Sequence, residues 1–279
     1  MNIGNYIRLY SEDLQLKNYA KSTIDNYCSQ VALFLSDHEK IATKPSEISE
    51  RLIKEWLLRA KTINSRKHRL SAIKLFYQLT GKQPLKFKHI GYPRADKKLP
   101  IVLSVDEIQR MFDVCENKKH RVILALLYSC SFRVSELINL KWKHIDRSRM
   151  IINIIQAKGN KDRQVGLNEK LIELLIVYFK EYKSKEYVLN GQNNALQYSE
   201  KSVGEVVKQL AIKAGIDNKR VYTHLIRHTS ATHMVEQGVD INLIQRLLGH
   251  SSVKTTNMYL HISHNHISKI QSPLQSINI

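Results

Sequence analysis

The chain has 279 residues, 43% of them hydrophobic, and carries 44 Lys and Arg against 25 Asp and Glu, a formal net charge of +19. That length suits one large domain or two modest ones, and so large a positive surplus makes a polyanion the leading partner. No apolar run of about 18 residues, no strongly basic amphipathic helix and no secretory leader is legible, so nucleic acid is favoured over a membrane surface. The expected location is cytoplasmic and nucleoid-associated. Cys28, Cys115 and Cys130 are widely spaced and form no CxxC pair, which points to buried free thiols and away from a zinc ribbon.

The first third reads as helices. In "STIDNYCSQVALFLSD" the apolar positions Ile24, Tyr27, Cys28, Val31, Phe34 and Leu35 keep a 3–4 spacing, with Ser22 placed to cap the start. A second helix is expected through Ile48, Leu52, Ile53, Trp56 and Leu57. A third carries Leu70, Ile73, Phe76 and Tyr77 and ends at Gly81. Arg66, Lys67, Arg69 and Lys74 lie around its other face and are candidate contacts to a nucleic-acid backbone. Residues 1–83 thus form one helical domain.

Residues 84–103 interrupt the periodicity. Pro84, Pro93 and Pro100 rule out a continuous helix, and the stretch is rich in Lys and Arg, including Lys97 and Lys98. A basic linker of this kind would let two domains close around a duplex. A second domain, 104–264, opens at "LSVDEIQRMF", where Ser104 and Glu107 have the spacing of a capping box. "RVILALLYSCSF" is apolar nearly all round and should be a central helix. "MIINIIQAKGNKDRQVGL" is the one β feature, a β-branched run, a turn and a short return strand. Helices follow in "EKLIELLIVYFKEY" and "SVGEVVKQLAIKAG", and the tail 265–279 is too short to fold alone.

"THLIRHTSATH", residues 223–233, packs three histidines around one arginine. On a helix His224, Arg227 and His228 share a face, whereas His233 points to the opposite side. A permanent guanidinium among the imidazoles spoils a zinc site, and H-E-x-x-H is absent. A phosphate suits the group better: arginine offers a two-pronged donor, and histidine can move a proton near neutral pH. His228 and His233 read as helix-packing residues, and His261 and His264 carry no assignment.

Four further blocks share the order and rough spacing of one known family. They are Arg133 with Glu136 in "FRVSEL", Lys158 in "AKGNKDR", His250 in "LLGHSS" and Tyr259 in "TTNMY". Together with His224 and Arg227 in "HLIRH" they make the chain resemble the tyrosine recombinases, the phage integrase family. "YAKSTIDNY" is similar to that family's core-binding domain. Two departures stand out: Ser131-Phe132 occupy the place where the family usually has Gly-Leu, and Gly166 stands where proline is frequent.

The resemblance implies a mainly α protein with a helical, SAM-like core-binding domain. Its α-rich catalytic domain would carry a small β hairpin or sheet, in a simple Xer-like arrangement without an added arm-binding domain. It implies site-specific strand exchange on double-stranded DNA through a 3′-phosphotyrosyl bond and a Holliday junction, with no metal and no cofactor. Tyr259 would be the nucleophile, Arg133 and Arg227 would grip the phosphate, and Lys158 would be the general acid, with Lys161 its rival. His224 would accept the tyrosine proton, His250 would hydrogen-bond the phosphate, and Glu136 would orient its neighbours. The implied partners are DNA sites, further copies of the chain as dimer to tetramer with the tail exchanged between subunits, and an accessory directionality factor. A topoisomerase-like relaxing enzyme or a non-catalytic DNA-binding regulator would preserve much of the same pattern. The DNA site and the biological task (integration, excision, inversion, resolution or shuffling) are not encoded in these motifs.

Overall fold

The computed structural model describes residues 1–83, 87, 89–94, 101–155, 162–191, 197–217, 219–250 and 252–260. Lys158, Lys161, Lys97, Lys98 and the tail 265–279 lie outside them. The chain divides into two units, residues 1–97 and 98–279.

The first unit holds helices α1 (Ile3–Leu16), α2 (Lys21–His38), α3 (Glu50–Leu58) and α4 (Ile63–Leu79). α2 and α4 pack on one another, and α1 packs on both. Their shared core is aromatic: Phe34, Trp56, Phe76 and Tyr77 meet edge-to-face, and Phe87 tilts against Tyr77 with ring centroids 5.1 Å apart. The buried hydroxyls find backbone acceptors, Tyr10 on Ala72 O at 2.9 Å and Tyr77 on Pro45 O at 2.7 Å, as burial in an apolar core requires. α3 and α4 start where Ser49 and Thr62 accept the N–H of Leu52 and Ser65. α2 does not start at Ser22 as expected. Its N-cap is Ala20, which makes no side-chain cap, and Ser22 lies inside the first turn with its carbonyl bonded by the Asn26 side chain. α1 carries only two buried residues, Tyr10 and Leu14, which explains why its periodicity is faint in the sequence.

The second unit is built on α6 (Lys118–Ser129), which buries Val122 through Leu127 and packs against α8 (Glu169–Tyr182), α9 (Glu200–Lys213) and α10 (Thr223–Glu236). α5 (Val105–Asp113) opens the unit with the capping box of Ser104 and Glu107. Lys219 secures this entry by donating to Glu107 Oε2 at 2.6 Å and to Val102 O at 3.2 Å. α7 (Val134–Ile138) follows a sharp turn at Ser131.

A three-stranded antiparallel sheet comes next, in the order β1 (Ile145–Asp146), β2 (Ile151–Ile154), β3 (Arg163–Gly166). The expected hairpin is β2–β3, and β1 adds a third strand through Ile145 opposite Ile152. Alternation sends Ile152, Ile154, Val165 and Arg163 to the buried face, so one inward position of β3 is a charge. α11 (Ile241–Leu248), α12 (Val253–Thr256) and a 3-10 turn at Asn257–Tyr259 complete the described chain.

Candidate active site

Glu136 is the hub on which the site is hung. Its side chain is 5% exposed, and it sits at the third position of α7, where Oε2 accepts the Arg133 N–H at 2.7 Å. The same carboxylate accepts the Arg133 side chain through Nη1 at 2.7 Å and binds Arg163 two-pronged, through Nη1 and, at 2.8 Å, through Nη2. Arg227 Nη1 lies 3.9 Å from Oε2. Burial alone would raise the Glu136 pKa, but the bonds and charge of Arg163 and the bonds from Arg133 outweigh it and hold the carboxyl below its ordinary value.

Arg163 is the member that the sequence reading missed. The available signal was its place two residues before Val165 on a short strand, which turns a guanidinium toward the core, where it needs a partner. Its Nε also donates to Leu247 O at 2.6 Å, so Arg163 ties the base of the β2–β3 hairpin to the end of α11. The expected tip residue of that hairpin, Lys158, falls outside the described residues.

Arg227 rises from α10 and is 1% exposed. Nη1 donates to Ser131 O at 2.6 Å and Nη2 to Leu248 O at 2.5 Å. Burial, with Arg133 nearby, lowers its pKa to about 10, which leaves it charged at neutral pH. Ser131 offers that carbonyl from a left-handed backbone, φ 50°, and its hydroxyl bonds Ser230 Oγ at 2.6 Å. The departure from glycine noted above thus falls on a position where glycine would be unstrained, and the Ser230 bond is what the serine gains there.

Arg133 is placed at the start of α7, and its Nη2 reaches Gly249 O at 3.3 Å. Gly249 closes α11 in the left-handed region, φ 61°, and turns the chain so that His250 faces the site. His250 Nδ1 bonds Thr256 Oγ1 at 3.0 Å, and its ring lies nearly parallel to that of Tyr259 with centroids 6.5 Å apart. Burial, aided by Arg227 and Arg133, brings the His250 pKa down to about 4.

Tyr259 is 1% exposed and packs its ring with Ala231, Val235, Ile244 and Leu248. Its hydroxyl does not end in that apolar cluster: it bonds His228 Nδ1 at 2.9 Å. Burial raises the phenol pKa, and Arg227 and Arg133 pull it partly back. The imidazole on the hydroxyl is therefore that of His228, expected to serve packing, and not that of His224. His224 is exposed, one turn earlier on α10, with its ring edge-on to that of His228 at 4.6 Å. Burial, His224 and Arg227 push the His228 pKa to about 4, and partial burial with the two arginines lowers that of His224. His233 faces the other way, as expected, bonding Leu103 O and Tyr128 Oη.

Arg133, Glu136, Arg227, His228, His250 and Tyr259, with His224 against His228, thus come together from four separate segments. Among the described residues no group of three or more His, Cys, Asp or Glu side chains is placed to hold a metal ion. Of the basic candidates in the first unit, Arg69 stacks on Trp56 at 4.5 Å and bonds its carbonyl, and Lys74 lies 5.6 Å from the Tyr92 ring centre. Arg66 and Lys67 are half-buried, and Arg66 Nε is buried without a hydrogen-bond partner among the described residues.

A buried tyrosine hydroxyl beside two guanidiniums and a chain of imidazoles is an arrangement chemically suited to holding a phosphate against a phenol oxygen. Comparison with known proteins gives the family. The model of the phage integrase family matches residues 102–266, and that of the phage integrase N-terminal SAM-like domain matches residues 7–86. A putative integrase/recombinase of Sinorhizobium fredii, y4qK, is 32% identical over 268 residues, covering 95% of this chain and 87% of that one. The tyrosine recombinase XerA of Pyrococcus horikoshii is 31% identical, covering 91% and 88%. Among solved structures, that of a XerA recombinase has a TM-score of 0.56 at 29% identity, covering 96% and 97% of the two chains. That of XerH bound to a palindromic difH substrate has a TM-score of 0.74 at 20% identity, covering 97% and 85%, a likeness of fold. The chain belongs to the phage integrase family, the tyrosine recombinases.

Proposed function

We propose that the protein cuts and rejoins double-stranded DNA at a specific site, with Tyr259 as nucleophile and a Holliday junction between the two rounds of exchange. Attack of the Tyr259 oxygen on a scissile phosphate forms a 3′-phosphotyrosyl bond and releases a 5′-hydroxyl. The phosphodiester energy is kept in the protein–DNA bond, and the reverse attack reseals the strand. Arg133 and Arg227 stabilise the charge that grows on the non-bridging oxygens; loss of one such donor lowers rates by roughly 10²–10³. His250 donates to the same phosphate, His224 takes the phenol proton when the hydroxyl turns from His228 Nδ1 to the phosphate, and Lys158 returns a proton to the leaving oxygen. Glu136 fixes the arginines.

The observation that carries this reading is the Tyr259 hydroxyl, bonded at 2.9 Å to an imidazole and close enough to Arg227 and Arg133 for both to act on its ionisation. Exchange between two duplexes calls for several copies, so assembly from dimer to tetramer on DNA belongs to the same proposal, as does an accessory factor that sets direction. The test is covalent capture. A pool of nicked duplexes with randomised arms, incubated with the full chain, should yield a denaturation-stable adduct that Tyr259→Phe abolishes. Capture by Tyr259→Phe, or none by the wild-type chain, overturns the proposal.

A further inference from the structure

Both groups that must meet the phosphate most closely are shut away, Tyr259 and Arg227 each being 1% exposed. The two groups thus sit in a closed pocket, and what holds it closed bears on how the nucleophile is presented. The 3-10 turn that carries Tyr259 spans three residues, Asn257–Tyr259, and follows α12, which spans four. Elements this short have little stability of their own, so side-chain contacts decide where the phenol sits. Among the described residues, two side-chain hydrogen bonds tie this stretch to the site: His250 Nδ1 on Thr256 Oγ1 at 3.0 Å, and His228 Nδ1 on the Tyr259 hydroxyl at 2.9 Å. The second of these touches the reacting atom. The ring that makes it is itself braced, edge-on against His224 at 4.6 Å, on the helix that also carries Arg227.

We propose that His228 is a positioning residue of the nucleophile: through Nδ1 it docks the Tyr259 hydroxyl in the closed site, so that the phenol oxygen and Arg227 are registered by one turn of a single helix. The neutral ring accepts at Nδ1 and keeps its proton on Nε2. A buried hydroxyl deprived of this acceptor loses a partner that nothing apolar around it replaces. The phenol then spends more time out of the pocket and reaches the attacking position less often. This role rests on the reading of Tyr259 as nucleophile, but the docking itself is measurable without DNA.

The experiment uses the full chain and three variants. His228→Phe keeps a ring and loses Nδ1, His228→Asn keeps a polar atom near Nδ1, and His228→Gln moves it out to the place of Nε2. Nitration by tetranitromethane, read at the Tyr259 peptide by mass spectrometry, reports docking. Single-turnover capture on a duplex selected by the wild-type chain reports presentation. Nitration of Tyr259 should be about tenfold faster in His228→Phe and His228→Gln and close to wild type in His228→Asn. The capture rate at saturating DNA should fall about tenfold in the first two, with half-saturation unchanged, and recover in His228→Asn. Wild-type nitration and capture in both His228→Phe and His228→Gln overturn the proposal. So does a His228→Asn variant as impaired as the other two, which would make ring packing the operative feature. If His228→Phe does not fold, the Asn and Gln pair decides alone. Adduct formation by Tyr259→Phe would sink the nucleophile assignment, whereas the nitration result would still settle what docks the phenol.

Discussion

Arg163→Met removes one guanidinium and should be felt far beyond its own strand. The Arg163 side chain is 6% exposed and that of Glu136 5%, so the substitution leaves a buried carboxylate that has lost its two-pronged partner and keeps the Arg133 bonds, with Arg227 at 3.9 Å. It also leaves Leu247 O without the donor that now sits at 2.6 Å. Breaking a buried ion pair by deleting one member costs about 3–5 kcal/mol, and the surviving bonds from Arg133 argue for the lower end, about 3 kcal/mol. For a unit of this size that corresponds to a fall in melting temperature of roughly 6–12 °C. Thermal and urea unfolding of the full chain, followed through the transition of residues 98–279, would measure it. Because the penalty is that of an orphaned charge, Glu136→Gln combined with Arg163→Met should be more stable than Arg163→Met alone by about 1 kcal/mol or more. A single variant within about 0.5 kcal/mol of wild type, or a double variant less stable than the single, would refute the view of Glu136 as a buried hub.

Three further outcomes are expected. His228 and His250 have pKa values near 4 against an ordinary 6.5, so the unfolded chain binds more protons than the folded one between those values. The stability they contribute is therefore intact above about pH 6.5 and is lost as pH falls toward about 4; a urea midpoint that stays level over this window would contradict the burial of both rings. Gly249→Ala should lower the melting temperature by the equivalent of about 1–2 kcal/mol, because φ is 61° and a Cβ would stand 3.0 Å from Arg163 Cδ; a neutral effect in calorimetry would contradict that close approach. Ser131→Gly should be better tolerated than Ser131→Ala, since alanine loses the Ser230 bond and keeps the left-handed strain; the reverse order in a urea titration would count against it.

The parts of this molecule that declare themselves in sequence are those whose physics is local. The Ser104–Glu107 box, the all-apolar α6 and the β2–β3 pairing each follow from a few neighbouring residues. So does the shared face of His224, Arg227 and His228, although that spacing could not tell which imidazole would meet a tyrosine 31 residues away. What was not legible depended on contacts across the chain. Arg163 looks like a turn residue until Glu136 is placed 27 positions back against it. α2 is capped at Ala20 and not at Ser22, so a local capping preference worth about 1 kcal/mol did not decide its start. Ser131 in place of glycine reads as a packing change, and only the backbone reveals that it buttresses Arg227 through its own carbonyl.

Whether Tyr259 is the group that holds DNA can be read from the adduct itself. The full chain, captured on a selected nicked duplex, would be digested with protease and nuclease and the nucleotide-bearing peptide sequenced by mass spectrometry. The account requires the nucleotide on the peptide that contains Tyr259, attached through a 3′-phosphate, with a free 5′-hydroxyl on the released strand. A nucleotide on any other residue, or a 5′-linked adduct, would contradict it.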